Sequence, residues 1–340
     1  MPLHAAVTAI EYHLPEATLT SADLAAEFPG WSVDKIEAIT GIRSRHIAGP
    51  DQCSSDLAVE AAQKLFASGA CSPSEIDYIL LCTQSPDYFL PTTACLLQHR
   101  LGIPTSAGAL DYNLGHSGFV YGLGMAEGLI SSGQASSVLL LTAETYSKFI
   151  HPADRSVRTI FGDAAAATLL RAKDVESASL GPFVYGTDGS GANNLIVRTG
   201  GMREPRTPAS AVAVTDDQGN VRSSDNLFMS GGDVFAFTLG SVPKAVNGLL
   251  QKAGVTLDQV DLFVFHQANA YILDHLRKRM KIPAEKFWIS MGECGNTVSS
   301  TIPIALKMAL EKGMLQPGHR VLLAGFGVGY SWASTLLRWG

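Results

Sequence analysis

Two similar stretches of this chain indicate its architecture. Residues 70–85 read ACSPSEIDYILLCTQS, and residues 254–269, which lie 184 positions further on, read GVTLDQVDLFVFHQAN. Each copy contains a turn, an apolar residue followed by aspartate, and a short apolar run that predicts a buried β-strand. Because similarity at a fixed offset is typical of a duplicated architecture, we infer two related halves.

A second pair of similar segments follows these copies in the same order. Residues 114–117, LGHS, precede one predicted helix, and residues 294–297, CGNT, precede another. His116 and Asn296 are 180 positions apart, which is close to the offset of the first pair. Two related halves bring equivalent loop–helix junctions together around a pseudo-twofold axis. The sequence therefore predicts that His116 and Asn296 belong to one site.

Short apolar runs alternate with segments of helical periodicity along the rest of the chain. The runs that predict strands are residues 6–10, 78–82, 109–112, 138–142, 164–170, 260–265, 321–324 and 332–337. The first predicted helix has Ser54 or Ser55 as its N-cap, and the second runs from Phe119 and ends at Gly133. Three further helices are predicted at about 234–253, 270–280 and 298–311. This alternation predicts an α/β fold with largely buried sheets.

The predicted halves are residues 1–172, which carry the loop around His116, and residues 173–340, which carry the His266 and Asn296 motifs. Residues 187–226 are rich in glycine, serine, aspartate and proline. This composition predicts a long surface excursion between the halves rather than a flexible linker.

The amino-acid composition argues against several classes of protein. Of 340 residues, 46% are hydrophobic and 16% charged, so much of the chain is expected to be buried or interfacial. The net charge of −6 argues against general nucleic-acid binding. Five scattered cysteines without a CxxC pair indicate neither a disulfide framework nor a metal site. With no basic-then-apolar N-terminus and no long apolar run, we expect a cytoplasmic protein without a membrane span.

Two polar residues of the second half are candidates for catalysis. His266 follows a buried strand, and the carboxyl ends of such strands are where ligands bind in α/β sheets. A neutral imidazole there can donate from Nε2 to a thioester carbonyl, or it can pass a proton; the alternative is a histidine satisfied by local backbone. The amide of Asn296 can stabilise an enolate as an uncharged donor, or it can simply cap a helix.

The third candidate, His116, lies where a strand turns through Gly115 into a helix, as in a nucleophile elbow. The helix dipole disfavours an imidazolium ion at this position, so we expect His116 to be neutral. Near the C-terminus, Gly327-Val328-Gly329 offers backbone N–H groups for an oxyanion hole; the alternative is a turn before the last strand.

Four ordered motifs carry a resemblance to a known family: FGDAAA at 161–166, HQAN at 266–269, GNT at 295–297 and GFGVG at 325–329. They are similar to the motifs of β-ketoacyl-ACP synthase III, and the similarity extends from residue 40 to residue 332. The resemblance implies a thiolase fold, with αβαβα layers and two duplicated halves, that works as a homodimer without a cofactor.

The resemblance also implies a Cys-His-Asn site, in which His266 and Asn296 match the last two members. In the family, cysteine takes an acyl group from acyl-CoA, and the other two assist decarboxylation of malonyl-ACP and Claisen condensation. Further substrate-binding positions implied by the resemblance are Arg155, which matches a CoA-contacting arginine, Leu90, which falls where a partner subunit gates the acyl pocket, and Phe161, Asn269 and Gly327-Val328-Gly329.

The chain departs from the family at several of its functional positions. His116 occupies the place of the nucleophilic cysteine. Lys35 and Ile39 replace a tryptophan and an arginine that contact the CoA nucleotide. Tyr271 replaces an arginine that docks acyl carrier protein, for which the basic run at 277–281 is a substitute candidate.

Three hypotheses for function follow from this reading. The chain is a condensing enzyme that joins an acyl thioester to malonyl-ACP, with His116 either natural or a substitution of cysteine. Alternatively, it is an acyltransferase to an alcohol or amine of a sugar or natural product. The third hypothesis is a non-catalytic, acyl-binding subunit of a heteromeric enzyme.

Overall fold

The computed structural model describes residues 3–174 and 178–340. In the first described range the strands are β1 Leu3–His13, β2 Thr18–Thr20, β3 Ser44–His46, β4 Tyr78–Cys82, β5 Gly108–Tyr112, β6 Ser137–Glu144 and β7 Ala164–Asp174. The helices there are α1 Ser21–Glu27, α2 Val33–Thr40, α3 Ser54–Ala67, α4 Thr93–Arg100, α5 Gly118–Ser131 and α6 Arg155–Arg158.

In the second described range the strands are β8 Leu180–Thr187, β9 Leu195–Val197, β10 Val214–Thr215, β11 Val221–Arg222, β12 Leu227–Met229, β13 Leu262–Phe265, β14 Arg320–Gly327 and β15 Ser331–Arg338. The helices there are α7 Gly231–Ala253, α8 Ala270–Arg279 and α9 Thr301–Glu311. Short 3₁₀ turns include Pro73–Glu75, Leu257–Gln259 and Val298–Ser300. The predicted α/β class is confirmed.

The two main sheets repeat one topology. The first has the order β1-β7-β6-β4-β5, and the second has the order β8-β15-β14-β13. In both, the first two pairings are antiparallel and the pairing that follows is parallel. Where the first sheet adds β5 beside β4, the second has an isolated parallel bridge from Phe263 to Phe287. The second sheet therefore lacks a full fifth strand.

The duplicated stretch has the same local structure in both halves. A 3₁₀ turn closed by a capping box, with Ser72 and Glu75 in one copy and Thr256 and Gln259 in the other, precedes each central strand. The following aspartate, Asp77 or Asp261, accepts a hydrogen bond from the first backbone N–H of the neighbouring strand. Matching caps and register support the predicted duplication.

Five layers result from the packing of these elements. A core of buried side chains from α5 and α9 fills the space between the two sheets. A second core joins α3 and α4 to the outer face of the first sheet, and a third joins α7 and α8 to the outer face of the second. Apolar burial on this scale dominates the free energy of folding, and it places α5 and α9 in the same layer between the two sheets.

Several predicted boundaries are wrong for identifiable reasons. The N-cap of α3 is Cys53, because the Ser54 hydroxyl bonds to Ser85 and the Ser55 hydroxyl donates to Asp87. The predicted helix 298–311 divides into a 3₁₀ turn and α9. The excursion 187–226 contains β9, β10 and β11 and buries Leu195 and Asn220, so it is not wholly a surface segment.

Candidate active site

The structure brings His116, His266 and Asn296 together. The ring centroids of His116 and His266 are 4.6 Å apart, with the rings at 76° to each other. Asn296 Nδ2 lies 3.5 Å from His266 Nε2. All three side chains are buried and line one cavity of about 610 Å³. Residues widely separated in the sequence thus form one cluster at a place that a ligand can enter.

The elbow that presents His116 depends on close packing. β5 ends at Tyr112 and α5 begins at Gly118, so the turn between them is short. A Cβ at Gly115 would lie 2.5 Å from Gln84 Oε1 and 2.8 Å from Val328 Cγ1, so a larger residue there would have to displace both side chains. Ser117 points away from the cavity, where its hydroxyl hydrogen-bonds to that of Ser331 at 2.6 Å. The elbow therefore offers His116, not Ser117, to a ligand.

His266 follows β13 directly, as the sequence predicts. Its Nδ1 is 2.7 Å from the hydroxyl of Thr301, the first residue of α9. Thr301 was not among the predicted site residues. The sequence did contain a signal for Thr301: it is the first residue of α9, the helix that corresponds to α5, and α5 follows the loop that carries His116.

Asn296 has a hydrogen-bond partner at each end of its amide. Its Oδ1 accepts a hydrogen bond from the N–H of Val298, two residues further on, at 3.0 Å. The predicted N-cap role is wrong, because the N-cap of the following 3₁₀ turn is Thr297. Asn296 Nδ2 donates to the carbonyl of Ala268 at 3.3 Å and faces His266, so the side chain presents a donor to the cavity.

Burial keeps both histidines neutral. It lowers the pKa of His116 to about 3. The pKa of His266 lies well below its usual value, because of burial first and the neighbouring His116 second. Each ring therefore carries one proton near pH 7, and hydrogen-bond partners decide which nitrogen holds it.

The glycine-rich turn after β14 contacts His116. The N–H of Val328 donates to His116 Nδ1 at 3.4 Å. A Cβ on Gly327 would lie 2.4 Å from the same nitrogen, so glycine permits this approach. The Val328 N–H, expected from the sequence as an oxyanion donor, already has a partner in this structure. Gly329 lines a smaller neighbouring cavity with Val328.

The other predicted positions differ in their distance from the cluster. Phe161 and Asn269 line the cavity, and Asn269 also caps α8 through the N–H of Ile272. Arg155 donates to the carbonyl of Gln218, beside the cavity wall. Leu90 is 83% exposed and does not line this cavity.

The sequence did not identify part of the cavity wall. Asp216, Asp217, Gln218, Asn220 and Arg222 of the excursion 187–226 line it. Arg222 pairs with Asp154 and Asp216, which holds this segment against α6. A glycine- and serine-rich composition indicates only irregular structure, so no local signal marked these residues as cavity-lining.

Residues 3–174 and 178–340 contain neither a helix suited to a membrane span nor a cluster of metal-ligating side chains. No helix there combines the length and apolarity that a membrane span requires. In the same described residues, no group of three or more histidine, cysteine, aspartate or glutamate side chains could hold a metal ion.

Comparison with known proteins adds independent information. The family model "3-Oxoacyl-[acyl-carrier-protein (ACP)] synthase III" matches residues 110–189, and the model of its C-terminal part matches residues 250–339. The β-ketoacyl-[acyl-carrier-protein] synthase III of Caldanaerobacter subterraneus subsp. tengcongensis is 36% identical over 96% of this chain and 95% of its own length. Synthase III 3 of Streptomyces coelicolor is 38% identical over 96% and 94%.

Solved structures of 3-oxoacyl-ACP synthases are also similar to this chain. A crystal structure of a 3-oxoacyl-(acyl-carrier-protein) synthase III is 55% identical, with a TM-score of 0.98 over 99% of this chain and 100% of that one. The 3-oxoacyl-(acyl-carrier protein) synthase of Burkholderia xenovorans LB400 is 37% identical, with a TM-score of 0.91 over 99% and 94%. The predicted αβαβα thiolase fold is confirmed, and the chain belongs to the β-ketoacyl-ACP synthase III family.

Proposed function

We propose that this chain is an acyltransferase of the 3-oxoacyl-ACP synthase III type, active in the cytoplasm in fatty acid biosynthesis. Its substrates are an acyl thioester, as acyl-CoA or acyl-ACP, and malonyl-ACP, which it condenses with loss of CO₂ and without a cofactor. One observation carries the proposal: the neutral His266 and the amide donor of Asn296 lie together in the same cavity.

The two halves have different tasks in this proposal. Residues 1–172 supply the elbow with His116, and residues 173–340 supply His266 and Asn296. Asn296 Nδ2 stabilises the negative charge that develops on the malonyl thioester oxygen as CO₂ leaves. Phe161, Asn269 and Gly327 surround the acyl group, Val328 and Gly329 bound it from the smaller neighbouring cavity, and Arg155 lies near the entrance for the carrier.

Acyl carrier protein is the proposed partner at the end of α8. Arg277 and Lys278 both pair with Asp274. Arg279 and Lys281 are exposed, and within the described parts of the chain no ion pair engages either of them. These two cations are suited to an acidic carrier protein, because exposed charges steer association with an oppositely charged partner.

A homodimer is proposed from the apolar segment Tyr88–Leu90. Tyr88, Phe89 and Leu90 are 61%, 78% and 83% exposed, which is unusual for three consecutive large apolar residues. A partner subunit would cover them and bring Leu90 to its acyl pocket. Sedimentation tests this assembly, and a stable monomer at micromolar concentration would contradict it.

The test of function uses malonyl-ACP, with and without a series of acyl-CoAs, on this chain and on His116→Cys. We expect both proteins to release CO₂ from malonyl-ACP. We expect only His116→Cys to gain a stable acyl adduct by intact-protein mass spectrometry, because a thiol at a helix N-terminus becomes nucleophilic. Absence of both decarboxylation and thioester turnover in either protein would favour a non-catalytic subunit.

A further inference from the structure

The hydrogen bonds around the cavity determine the tautomer of each histidine. The two ends of the Asn296 amide are distinguishable by their partners. The N–H of Val298 donates to one end, which identifies that end as the oxygen, Oδ1. The other end donates to the carbonyl of Ala268, so it is the nitrogen. An amide nitrogen only donates, so the atom of His266 that faces it must be an acceptor.

The hydrogen bonds of Thr301 independently indicate the same tautomer of His266. Its hydroxyl donates to the carbonyl of Val298 at 3.1 Å. The hydroxyl proton is then used, so the 2.7 Å contact with His266 is a donation from Nδ1–H to the Thr301 oxygen. A neutral ring with its proton on Nδ1 has a lone pair on Nε2. Of the two roles considered for Nε2, donation and proton transfer, this arrangement favours proton transfer.

His116 has the opposite tautomer. The N–H of Val328 can only donate, so His116 Nδ1 must present its lone pair to it. The single proton of the neutral ring is therefore on Nε2. Neither nitrogen is then a nucleophile: Nδ1 is engaged by the backbone and Nε2 carries hydrogen. The cavity thus holds one imidazole donor, His116, and one imidazole base, His266, with their ring centroids 4.6 Å apart.

From this arrangement we infer a further activity: direct transfer of an acyl group from a thioester to an alcohol or amine, without an acyl-enzyme. His266 is the general base, and His116 and Asn296 donate to the carbonyl oxygen. Thr301 is a positioning residue that holds His266 in its basic tautomer. The inference rests on the proposed function only in requiring that a thioester occupies this cavity.

The step balances with these groups alone. His266 Nε2 takes the proton of the acceptor while the acceptor oxygen or nitrogen forms a bond to the thioester carbon. The carbonyl electron pair moves to oxygen, where His116 Nε2–H and Asn296 Nδ2–H donate to it. When the C=O bond re-forms, the C–S bond breaks, and the thiolate takes the proton back from His266. The products are an ester or amide and a free thiol.

The contact between His266 and Asn296 is suited to such an exchange. Its length of 3.5 Å exceeds that of an ordinary N–H hydrogen bond, which is about 2.9 Å. An acceptor hydroxyl or amine can therefore replace it at His266 Nε2 at low cost. The amide proton that is released is then available to the carbonyl oxygen.

The first test is steady-state kinetics with hexanoyl-CoA as donor and hydroxylamine as acceptor. We expect double-reciprocal plots that intersect, as a ternary complex requires, and no increase in protein mass. His116→Cys is the matched comparison, with parallel lines and an acyl adduct expected, since its thiol allows a covalent intermediate. An adduct that accumulates on the unsubstituted chain, together with parallel lines, would overturn the inference.

The second test addresses Thr301. Thr301→Val removes the acceptor of Nδ1–H at nearly constant volume, and we expect turnover to fall by roughly 10- to 100-fold. The acid limb of the kcat/KM profile should move to lower pH, because the imidazolium loses a hydrogen-bond acceptor. Thr301→Ser should restore both. Thr335→Val, which removes a buried hydroxyl bonded to the Pro182 carbonyl, is the matched control and should change neither.

Two outcomes separate this inference from the proposed function. If the chain releases CO₂ from malonyl-ACP but transfers no acyl group to hydroxylamine, direct transfer is refuted and the proposed function stands. An acid limb that does not move in Thr301→Val, at reduced turnover, would show a merely structural role for Thr301 and would refute its part in the inference.

Discussion

The contacts between the end of the central strand and the start of the following helix differ between the two halves. In the second half, His266 follows β13 and contacts Thr301, the first residue of α9. In the first half, the position equivalent to His266 is Cys82, and α5 begins at Gly118. A Cβ on Gly118 would lie 2.2 Å from the Cys82 sulfur. One pair therefore orients an imidazole, and the other packs a thiol against a glycine.

This difference shows how two duplicated halves can share a fold while only one of them carries a catalytic candidate directly after its central strand. Burial holds the pKa of Cys82 well above its usual value, and its sulfur donates to the Leu114 carbonyl. A protonated, fully buried thiol is a structural residue rather than a nucleophile. The close contact between Cys82 and Gly118 lets α5 approach the sheet, and thereby supports the elbow that presents His116.

The largest expected effect comes from making the second pair resemble the first. We expect His266→Cys to reduce thioester turnover by roughly 10²- to 10⁴-fold, because a buried thiol is a poor base at neutral pH. The matched control is Cys82→Ala, which should leave turnover unchanged while lowering stability slightly. Activity assays with hexanoyl-CoA and malonyl-ACP measure both. Equal losses in the two variants would show that the halves do not differ as described.

The next effect concerns the donor that faces His266. Asn296→Ala should slow decarboxylation of malonyl-ACP by about 100-fold or more, since one oxyanion donor contributes about 3 kcal/mol to the barrier. Loss of the hydrogen bond from the Val298 N–H should also lower stability by about 1 kcal/mol. Decarboxylation and denaturant unfolding separate the two roles. Lower stability with unchanged decarboxylation would leave Asn296 with a structural role alone.

A third prediction sharpens the comparison from the first half. Gly118→Ala should lower the free energy of unfolding by about 1–3 kcal/mol, because the new methyl group overlaps the Cys82 sulfur. Cys82→Ala in the same chain removes the overlapping atom and should recover part of the loss. A double-mutant cycle by denaturant unfolding measures this coupling. Additive effects of the two changes would contradict it.

The last effect, modest within any single pH unit, is a pH dependence of stability that involves His116. Its pKa is 6.5 when unfolded and about 3 when folded, so below pH 6.5 the unfolded state takes up a proton that the folded state does not. The contribution of His116 to the free energy of unfolding is therefore complete above pH 6.5. It is lost as the pH falls from 6.5 to about 3, by about 1.4 kcal/mol per pH unit. His116→Gln should reduce the slope by this amount in unfolding experiments at a series of acidic pH values. Identical slopes would refute it.

Much of the fold was predictable because its signals are local. The apolar runs over 78–82 and 138–142 correspond to β4 and β6, and the repeat offset anticipated the matched 3₁₀ turns. Boundaries failed where a side chain had a distant partner. Ser54 is a good N-cap residue, but its hydroxyl bonds to Ser85, so the cap falls one residue earlier.

The duplication, the α/β layers and the candidates His116, His266 and Asn296 could be predicted without coordinates, because periodicity and internal similarity are properties of the residue order. The proton positions of the two rings, the role of Thr301 and the contribution of residues 216–222 to the cavity follow only from the folded chain. Each of these depends on hydrogen bonds and packing between segments far apart in the chain. No local pattern encodes which distant donor or acceptor will face a given nitrogen.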